Sequence, residues 1–242
     1  MFLGRFLRKM FPSLAELAAT LRFHTYMEDG LITRHTADFL TDGRFSSAYA
    51  KGKATGSWNN TNPRWRVYTA CWAASQAARL PGDFVECGVN CGGMALTIME
   101  YLNFNSLDKR FFLLDTFSGF PEGSQAAAAN RGQYSDCYAQ VTETFAPYRG
   151  ARIIRGAVPD TLSSIDAEQI SYLSIDMNCA EPEIAAVRQL WPRLVRGAVL
   201  LLDDYGGGPD YLRQKNAFDA LADELGFKIL TLATGQGLII KA

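Results

Sequence analysis

The feature that most constrains the fold is an alternation of short apolar runs with helical patterns between residues 83 and 205. Strands that alternate with helices form βαβ units, whose helices cover both faces of a parallel sheet. The chain is therefore predicted to be an α/β protein with a mostly parallel sheet. The predicted strands are 83–89, 110–117, 151–158, 170–177 and 197–205, and the predicted helices are 94–101, 137–148, 183–194 and a shorter one at 160–169.

The two ends of the chain differ from this alternating part. Residues 1–62 are rich in polar and aromatic residues, and we interpret them as a helical and lid segment before a domain of residues 63–242. The basic, apolar start is typical of an amphipathic helix that docks on the domain or on a partner subunit, so we expect a homo-oligomer through this segment. After helices at 64–80 and 216–225, the closing FKILTLATGQGLIIKA predicts an antiparallel hairpin at the sheet edge.

The composition agrees with one large globular domain. The 242 residues are 48% hydrophobic and 20% charged, and the net charge is −1. This balance gives no basic footprint for nucleic acid, and no apolar run approaches the roughly 18 residues that a membrane span needs. The five cysteines are odd in number and form no CxxC pair, which is typical of reduced thiols in a cytoplasmic protein.

Polar residues and a glycine occupy the carboxyl ends of the predicted strands. In chain order they are Glu86, Asp115, Gly156, Asp176 and Asp203. Open parallel sheets bind their ligands beyond the carboxyl ends of the strands. We therefore expect the functional site at this edge of the sheet.

The turn after the first strand, ECGVNCGG (86–93), indicates a ligand that carries no phosphate. Glycines in such a turn let the backbone approach a ligand closely. Glu86 would repel a pyrophosphate and attract an ammonium or hydroxyl group, unless it only caps the turn. Asp115 can accept both hydroxyls of a ribose, which NAD and S-adenosylmethionine share, so this residue does not separate the two cofactors. Glu86 favours the cationic S-adenosylmethionine.

The stretch AVLLLDDYGGG (198–208) runs an apolar strand into two adjacent carboxylates. Asp176 ends the preceding predicted strand, so Asp176, Asp203 and Asp204 are expected to lie close together. Buried carboxylates are costly unless they are paired or bound to a metal. Three such groups form an oxygen-ligand site for a hard divalent cation, most plausibly Mg²⁺. The alternative is that one aspartate caps the next helix while the others face solvent.

Several motifs follow one another in a fixed order, namely PGDFVECGVNCGGMA, LLDTFSGFPEG, GAVPDTL, and SIDMN followed by LWPRLVRGAVLLLDDYGG. With these motifs and the closing glycine-rich hairpin, the chain resembles the macrocin O-methyltransferase family, which acts on deoxysugar hydroxyls of macrolide antibiotics and related substrates. The resemblance covers residues 60 to 242. It implies a class I methyltransferase, Rossmann-like fold with a seven-stranded sheet, S-adenosylmethionine as cofactor and a divalent metal.

The resemblance also implies roles for individual residues. The implied cofactor-binding residues are Glu86, Gly88 and Asp115, and we also predict that Thr116, Ser118 and Gly156 bind the cofactor. The implied metal ligands are Asp176, Asp203 and Asp204, and Asp176 also matches the general base of the family. The chain departs from the family at residues 177–180, where MNCA replaces the Gly-Asp-Leu-Tyr common in relatives.

The expected function is metal-dependent transfer of a methyl group from S-adenosylmethionine to a hydroxyl of a sugar or another diol-bearing small molecule. The metal would lower the pKa of that hydroxyl, and Asp176 would take its proton. Two alternatives stay open, an NAD-dependent oxidoreductase and a non-catalytic relative that binds the cofactor. Aromatic walls for a sugar ring are expected from Tyr49, Trp58, Trp65 and Tyr205, with core packing the more usual role for Trp65.

Overall fold

A computed structural model describes residues 12–120 and 134–242, and these residues form a seven-stranded sheet covered by helices. The strands of this sheet are β3 (Asp83–Cys87), β4 (Phe111–Asp115), β5 (Ala151–Arg155), β6 (Ile170–Ile175), β7 (Leu194–Leu202), β8 (Leu230–Thr231) and β9 (Gly237–Ile240). Their spatial order is β5-β4-β3-β6-β7-β9-β8. Strands β3 to β7 pair in parallel, whereas β9 pairs antiparallel with both β7 and β8. This arrangement confirms the predicted α/β fold with its C-terminal antiparallel hairpin.

A second, two-stranded sheet and the helices complete the described residues. The small sheet joins β1 (Tyr26–Glu28) to β2 (Leu31–Thr33). The helices are α1 (Pro12–Phe23), α2 (Gly43–Ala54), α3 (Arg64–Ala77), α4 (Gly93–Leu102), α5 (Tyr138–Phe145), α6 (Ala180–Leu190) and α7 (Leu212–Leu225). The first residues of the predicted amphipathic helix, 1–11, lie outside the described residues. None of the helices in the described ranges is long and apolar enough to cross a membrane.

Some predicted element boundaries were wrong. Helix α6 ends at Leu190 instead of residue 194, because Pro192 lies in the following 3₁₀ turn, Trp191–Arg193, and lacks the N–H that a continuing helix would use. Leu194 already belongs to β7, where it pairs with Ile170. Residues 160–164 form a 3₁₀ helix, and α7 begins four positions before the predicted residue 216.

Each face of the large sheet packs against its own apolar cluster. Phe84 points to the cluster that contains buried residues of α3 and α4, and its neighbour Val85 points to the one that contains buried residues of α6 and α7. Strands that are covered on both faces need such continuous apolar runs. Tyr26, Phe39 and Phe45 belong to the first cluster, so the residues before α3 share the core of the sheet. The division of the chain at residues 62 and 63 stays a prediction.

The carboxyl ends of the central strands are held in close register by backbone hydrogen bonds. The Asp176 N–H donates to the Cys87 carbonyl at 2.9 Å, and the Asp203 N–H donates to the Ile175 carbonyl at 3.0 Å. The Gly88 N–H likewise donates to the Leu114 carbonyl at 2.9 Å. These bonds bring the ends of β4, β3, β6 and β7 side by side, and the polar residues that follow each strand meet there.

Candidate active site

A cavity of about 830 Å³ opens at the carboxyl edge of the sheet. Every predicted site residue except Ser118 lines this cavity. The predicted residues in its lining are Glu86, Gly88, Asp115, Thr116, Gly156, Asp176, Asp203 and Asp204. Ser118 is exposed, and its N–H and hydroxyl bond to Thr116. One concave site therefore joins the turn after β3 to the acidic end of β6 and β7.

Glu86 is a buried carboxyl at the floor of the cavity. It is 2% exposed, and its Oε2 atom has no hydrogen-bond partner among the described residues. Burial, together with the negative charges of Asp203 and Asp115, raises the pKa of Glu86 well above its ordinary value. A buried acceptor without a partner is costly. The cavity therefore favours a ligand that offers Glu86 a cationic or hydrogen-bond-donating group.

Asp115 holds the turn after β3 in place. Its Oδ2 atom accepts hydrogen bonds from the Val89 and Asn90 N–H groups, both at 2.8 Å, and its Oδ1 atom accepts one from the Phe117 N–H at 2.7 Å. Charged acceptors make the stronger hydrogen bonds. Asp115 thus shapes the backbone that faces the cavity, a role that the sequence pattern did not indicate.

Two of the glycines around the cavity have no room for a side chain. Gly88 has φ +95°, and a Cβ atom there would lie 1.8 Å from the Asp176 carbonyl oxygen. Gly156 has φ +145°, and its Cβ would lie 2.6 Å from the Thr161 methyl group. Both conformations are open to glycine and strained for other residues. The glycines let the strand ends and their turns pack together around the cavity.

Arg66, on the first turns of α3, places a positive charge at the acidic end of the cavity. Its Nη1 atom lies 2.6 Å from Asp203 Oδ2 and 3.4 Å from Asp204 Oδ1, and its Nε atom lies 3.1 Å from Asp29 Oδ2. The Gln236 side chain donates to Asp203 Oδ1 at 2.9 Å. The sequence predicted a metal alone as the compensating charge, and Arg66 was missed. The one available signal was an arginine at the start of a helix that precedes the sheet.

The remaining carboxyl groups of this cluster keep unused acceptor capacity. Asp204 Oδ2 is buried and has no partner among the described residues, and Asp176 lines the cavity and is only partly buried. Burial and the nearby Asp203 raise the pKa of Asp204 to about 7, and burial with Asp203 and Asp204 raises the pKa of Asp176 well above its usual range. Within residues 12–120 and 134–242, no group of three or more His, Cys, Asp or Glu side chains is arranged to hold a metal ion. Carboxylate oxygens are nonetheless the ligand type that Mg²⁺ prefers, so the donor chemistry fits that ion.

Glu183 fixes the segment that departs from the family pattern. It is 3% exposed, and its Oε1 atom accepts hydrogen bonds from the Met177 and Cys179 N–H groups at 3.0 and 3.4 Å. Burial and the negative charge of Asp204 raise the pKa of Glu183 to about 8. The buried carboxyl of Glu183 therefore lies behind residues 177–179, although the sequence pattern did not single it out.

Aromatic side chains form part of the cavity wall. Trp58 lines the cavity and stacks on Tyr49, with ring centroids 5.3 Å apart and an interplanar angle of 6°. Tyr134 and Tyr211, which the sequence analysis missed, also line it. Burial, with the negative charges of the acidic cluster, raises the pKa of the Tyr134 hydroxyl to about 12, and the charge of Asp204, with burial, raises the pKa of Tyr211 to about 12.

Three of the four expected wall residues lie elsewhere, and Tyr49 is buried against Trp58 without lining the cavity. Trp65 packs edge-on against Tyr26, with centroids 5.1 Å apart, and so belongs to the core. Tyr205 is 5% exposed in the cluster on the other face of the sheet, and its hydroxyl donates to Asp219 at 2.5 Å. The strand ahead of Tyr205 was correctly predicted, but the turn after it directs this side chain away from the cavity.

The sequence model of a family described as Macrocin-O-methyltransferase (TylF) matches residues 24–223. The chain belongs to the macrocin O-methyltransferase family. The match begins well before residue 60, where the motif resemblance starts, and so includes the β1–β2 sheet and Trp58.

Two curated relatives show how diverged this family member is. The 8-demethyl-8-(2,3-dimethoxy-α-L-rhamnosyl)-tetracenomycin-C 4'-O-methyltransferase of Streptomyces olivaceus is 28% identical over 149 residues, which are 56% of this chain and 57% of that protein. The mycinamicin III 3''-O-methyltransferase of Micromonospora griseorubida is 26% identical over 142 residues, 52% of this chain and 56% of that protein. The chain thus matches little more than half the length of these relatives.

The fold is shared with a solved structure of the O-methyltransferase NovP. The two chains superpose with a TM-score of 0.69 at 17% sequence identity, covering 86% of this chain and 100% of the other. This likeness concerns the fold alone. It confirms the class I methyltransferase fold that the motif resemblance implied.

Proposed function

We propose that this family member transfers a methyl group from S-adenosylmethionine to a hydroxyl of a sugar or another small molecule that bears a diol. One observation carries the proposal, namely that a single cavity of about 830 Å³ is lined by both Glu86 and the acidic cluster. Ligand pockets span about 300–1,000 Å³, so this one has room for a cofactor beside an acceptor. Family membership favours methyl transfer over the NAD-dependent alternative.

The end of the cavity at Glu86 and Asp115, here called the cofactor end, is suited to a cationic ligand without phosphates. The unpartnered Oε2 atom of Glu86 would accept a hydrogen bond from the ammonium group of S-adenosylmethionine. Asp115 would hold the ribose hydroxyls while it holds the turn, and Gly88 and Gly156 would let the backbone approach the ligand. In the proposal Thr116 completes this end of the site, and Ser118, outside the cavity lining, supports it through its bonds to Thr116.

The acceptor end supports a sugar ring. Trp58, Tyr134 and Tyr211 offer aromatic faces, and the two tyrosines also offer hydroxyls. Sites for polar ligands commonly combine such faces with a few placed polar groups. One relative is named for an acceptor that carries a rhamnosyl group, and this agrees with a sugar hydroxyl as the acceptor here.

Asp176 is the proposed general base. The raised pKa of its carboxyl makes it a better proton acceptor than an ordinary aspartate. S-adenosylmethionine bound in the cavity would supply the methyl group, with its carbon–sulfur bond breaking as the acceptor oxygen bonds to the methyl carbon and a neutral thioether forming. Asp176 would take the hydroxyl proton. Alignment of oxygen, carbon and sulfur by the cavity would supply much of the rate.

We also propose that the site uses Mg²⁺ or another divalent cation. Asp176, Asp203 and Asp204 would hold the ion, and the buried, unpartnered Asp204 Oδ2 atom supports this assignment. A divalent cation bound there would lower the pKa of a hydroxyl that it contacts. Arg66 currently holds Asp203, so the full set of ligands requires that contact to change.

The N-terminal segment and the location of the protein complete the proposal. Residues 1–62 would cover the site, because Asp29, Ser57 and Trp58 line the cavity. The segment would also join two copies of the chain, because Leu14, Leu17 and Leu21 lie on one helical face and are about half exposed. Residues 63–242 would form the methyltransferase domain. Light scattering tests self-association, and Leu17→Lys should shift a dimer to monomer.

All five cysteines are free thiols, which supports a cytoplasmic location.

Two measurements test the central proposal. Calorimetry should show binding of S-adenosylmethionine and its demethylated product and no binding of NAD. Transfer of labelled methyl from S-adenosylmethionine to a panel of glycosides and catechols should depend on added Mg²⁺ after chelator treatment. Tight binding of NAD without a response to S-adenosylmethionine would reject the proposal. Cofactor binding without transfer to any diol would favour the non-catalytic alternative.

A further inference from the structure

Arg66 is built into the acidic cluster from two directions. Its side chain is 18% exposed and bridges Asp29, in the turn between β1 and β2, to Asp203 and Asp204 at the end of β7. Gln236 holds the same group by donating to Asp203 Oδ1 at 2.9 Å and to the Arg66 carbonyl at 3.4 Å. A partly buried arginine fixed by this many partners is part of the site's architecture.

The contacts of Arg66 use the same atoms that a metal would need. Asp203 has one oxygen on Arg66 and the other on Gln236, so a divalent cation would have to share each oxygen with a hydrogen bond and would meet the guanidinium charge beside Oδ2. Asp204 has one oxygen near Arg66 and one without a partner among the described residues. Because a guanidinium stays protonated at all working pH values, its charge does not leave the site by titration.

We propose that Arg66 is the resident counter-ion of this cluster and competes with a divalent cation for Asp203 and Asp204. Entry of the cation requires Arg66 to release Asp203, and Asp29 retains the guanidinium when it does. Arg66 therefore sets how tightly the cluster takes a divalent ion. This inference rests on the metal site of the proposed function.

The chain provides a matched control for this idea. Arg64 lies two residues earlier on the same helix and forms an ion pair with Glu28, which precedes Asp29. Arg64 thus ties α3 to the β1–β2 turn much as Arg66 does, but it does not contact the acidic cluster in the described structure. Replacing Arg64 therefore removes a positive charge from α3 but leaves Arg66, the proposed competitor, in place.

The experiment measures Mn²⁺ affinity by electron paramagnetic resonance on the full chain after chelator treatment. Arg66→Gln should bind Mn²⁺ about tenfold or more tightly than the parent, because a positive charge within a few ångströms of the ion is removed. Arg66→Lys keeps the charge but loses the planar fork, so its gain should be smaller. Arg64→Gln should match the parent within about twofold, the scale of a screened surface charge.

Unchanged or weaker Mn²⁺ affinity in both Arg66 variants would overturn the inference, as would the absence of Mn²⁺ binding in every protein. Should Arg66→Gln not fold, the lysine variant decides alone, because any gain beyond that of Arg64→Gln supports competition. Calorimetry with the demethylated cofactor on the same samples separates the two proposals. If the parent binds this cofactor but the Mn²⁺ affinity does not change with Arg66, only the competition is rejected. If the parent binds no cofactor, the proposed function is rejected.

Discussion

Gly88 and Asp176 touch at the floor of the cavity, where a Cβ atom on Gly88 would lie 1.8 Å from the Asp176 carbonyl oxygen. The contact joins the turn that faces the proposed cofactor to the residue proposed as base. A side chain at residue 88 would separate the ends of β3 and β6. The same two residues thus link the packing of the sheet to the geometry of the site.

Gly88→Ala is expected to lower the free energy of unfolding by about 2–6 kcal/mol, because overpacking and an unfavourable φ each cost about 1–3 kcal/mol. Urea titration measures this loss. Gly43→Ala, with no atom within 4 Å of its Cβ, controls for the substitution itself. Gly226→Ala, with φ +73° and open space, isolates the backbone strain. A Gly88 variant no weaker than the Gly226 variant would show that the strand ends separate at little cost.

Glu86→Gln should stabilise the protein at pH 8 and weaken cofactor binding. The pKa of Glu86 is raised by folding, so the parent loses stability as pH rises above the ordinary glutamate value of about 4.3 toward the folded pKa. The variant has no such loss at this position. We expect a gain of about 1–3 kcal/mol at pH 8, the range for a buried group without a partner, and a smaller difference near pH 4.5.

Urea titrations of both proteins at several pH values measure this difference in the free energy of unfolding. The other buried acids titrate in both proteins, so their contribution cancels in the difference. Calorimetry on the same samples should show weaker binding of S-adenosylmethionine to the Gln variant. A difference in stability that does not change with pH would mean that Glu86 has an ordinary pKa in the folded chain. Unchanged cofactor affinity would place the ammonium group elsewhere.

Asp115→Ala should reduce both stability and cofactor affinity, because one carboxylate holds the turn and is proposed to hold the ribose. Loss of its bonds to the Val89 and Asn90 N–H groups should cost about 1.5–3 kcal/mol for each charge-assisted bond that is not replaced by water. Thermal unfolding and calorimetry measure the two effects. Asp166→Ala, at an exposed ion pair with Arg110, should change either value by less than about 0.5 kcal/mol. A loss of stability without a loss of affinity would limit Asp115 to the turn.

The sequence predicted the fold well because its signals are local. Five apolar runs with intervening helical patterns determine a parallel sheet, and the carboxyl edge of such a sheet brings Glu86, Asp115 and Asp176 together. The end of α6 was misplaced because apolar periodicity continues past Leu190, whereas Pro192 and the pairing of Leu194 end the helix. Apolar periodicity shows which face of a helix is buried, whereas the residue at which the helix ends depends on backbone hydrogen bonds.

The missing parts of the site depend on contacts between distant residues. Arg66 meets Asp203 across 137 positions of sequence, and no local pattern indicates which arginine will fill an acidic cluster. Glu183 was passed over for a similar reason, since its role is to accept backbone N–H groups after it is buried. The need for a positive charge beside AVLLLDDYGGG was correctly inferred from the sequence, but its source within the chain was not.

Asp176→Asn separates the two roles proposed for Asp176, metal ligand and base. The substitution keeps the size and one oxygen but removes the charge and the proton acceptor. If Asp176 is the base, the rate of methyl transfer at saturating Mg²⁺ should stay lower by roughly 10²–10⁴-fold, the usual contribution of general base catalysis. The parent's rate should also fall at acidic pH, because the base must be deprotonated, and the variant should lack this fall.

The control for this test is the cofactor, whose affinity should barely change because Glu86 and Asp115 are proposed to hold it. Asp166→Asn, at an exposed carboxylate paired with Arg110, controls for the chemistry of the substitution and should leave the rate unchanged. Full recovery of the Asp176 variant with excess Mg²⁺ would remove the base role and leave a ligand. A weaker cofactor affinity would instead mean that the contact between Gly88 and Asp176 transmits the change across the cavity floor. In that case Asp176→Asn and Gly88→Ala should share the same loss of affinity, and the double variant should show no more than either alone.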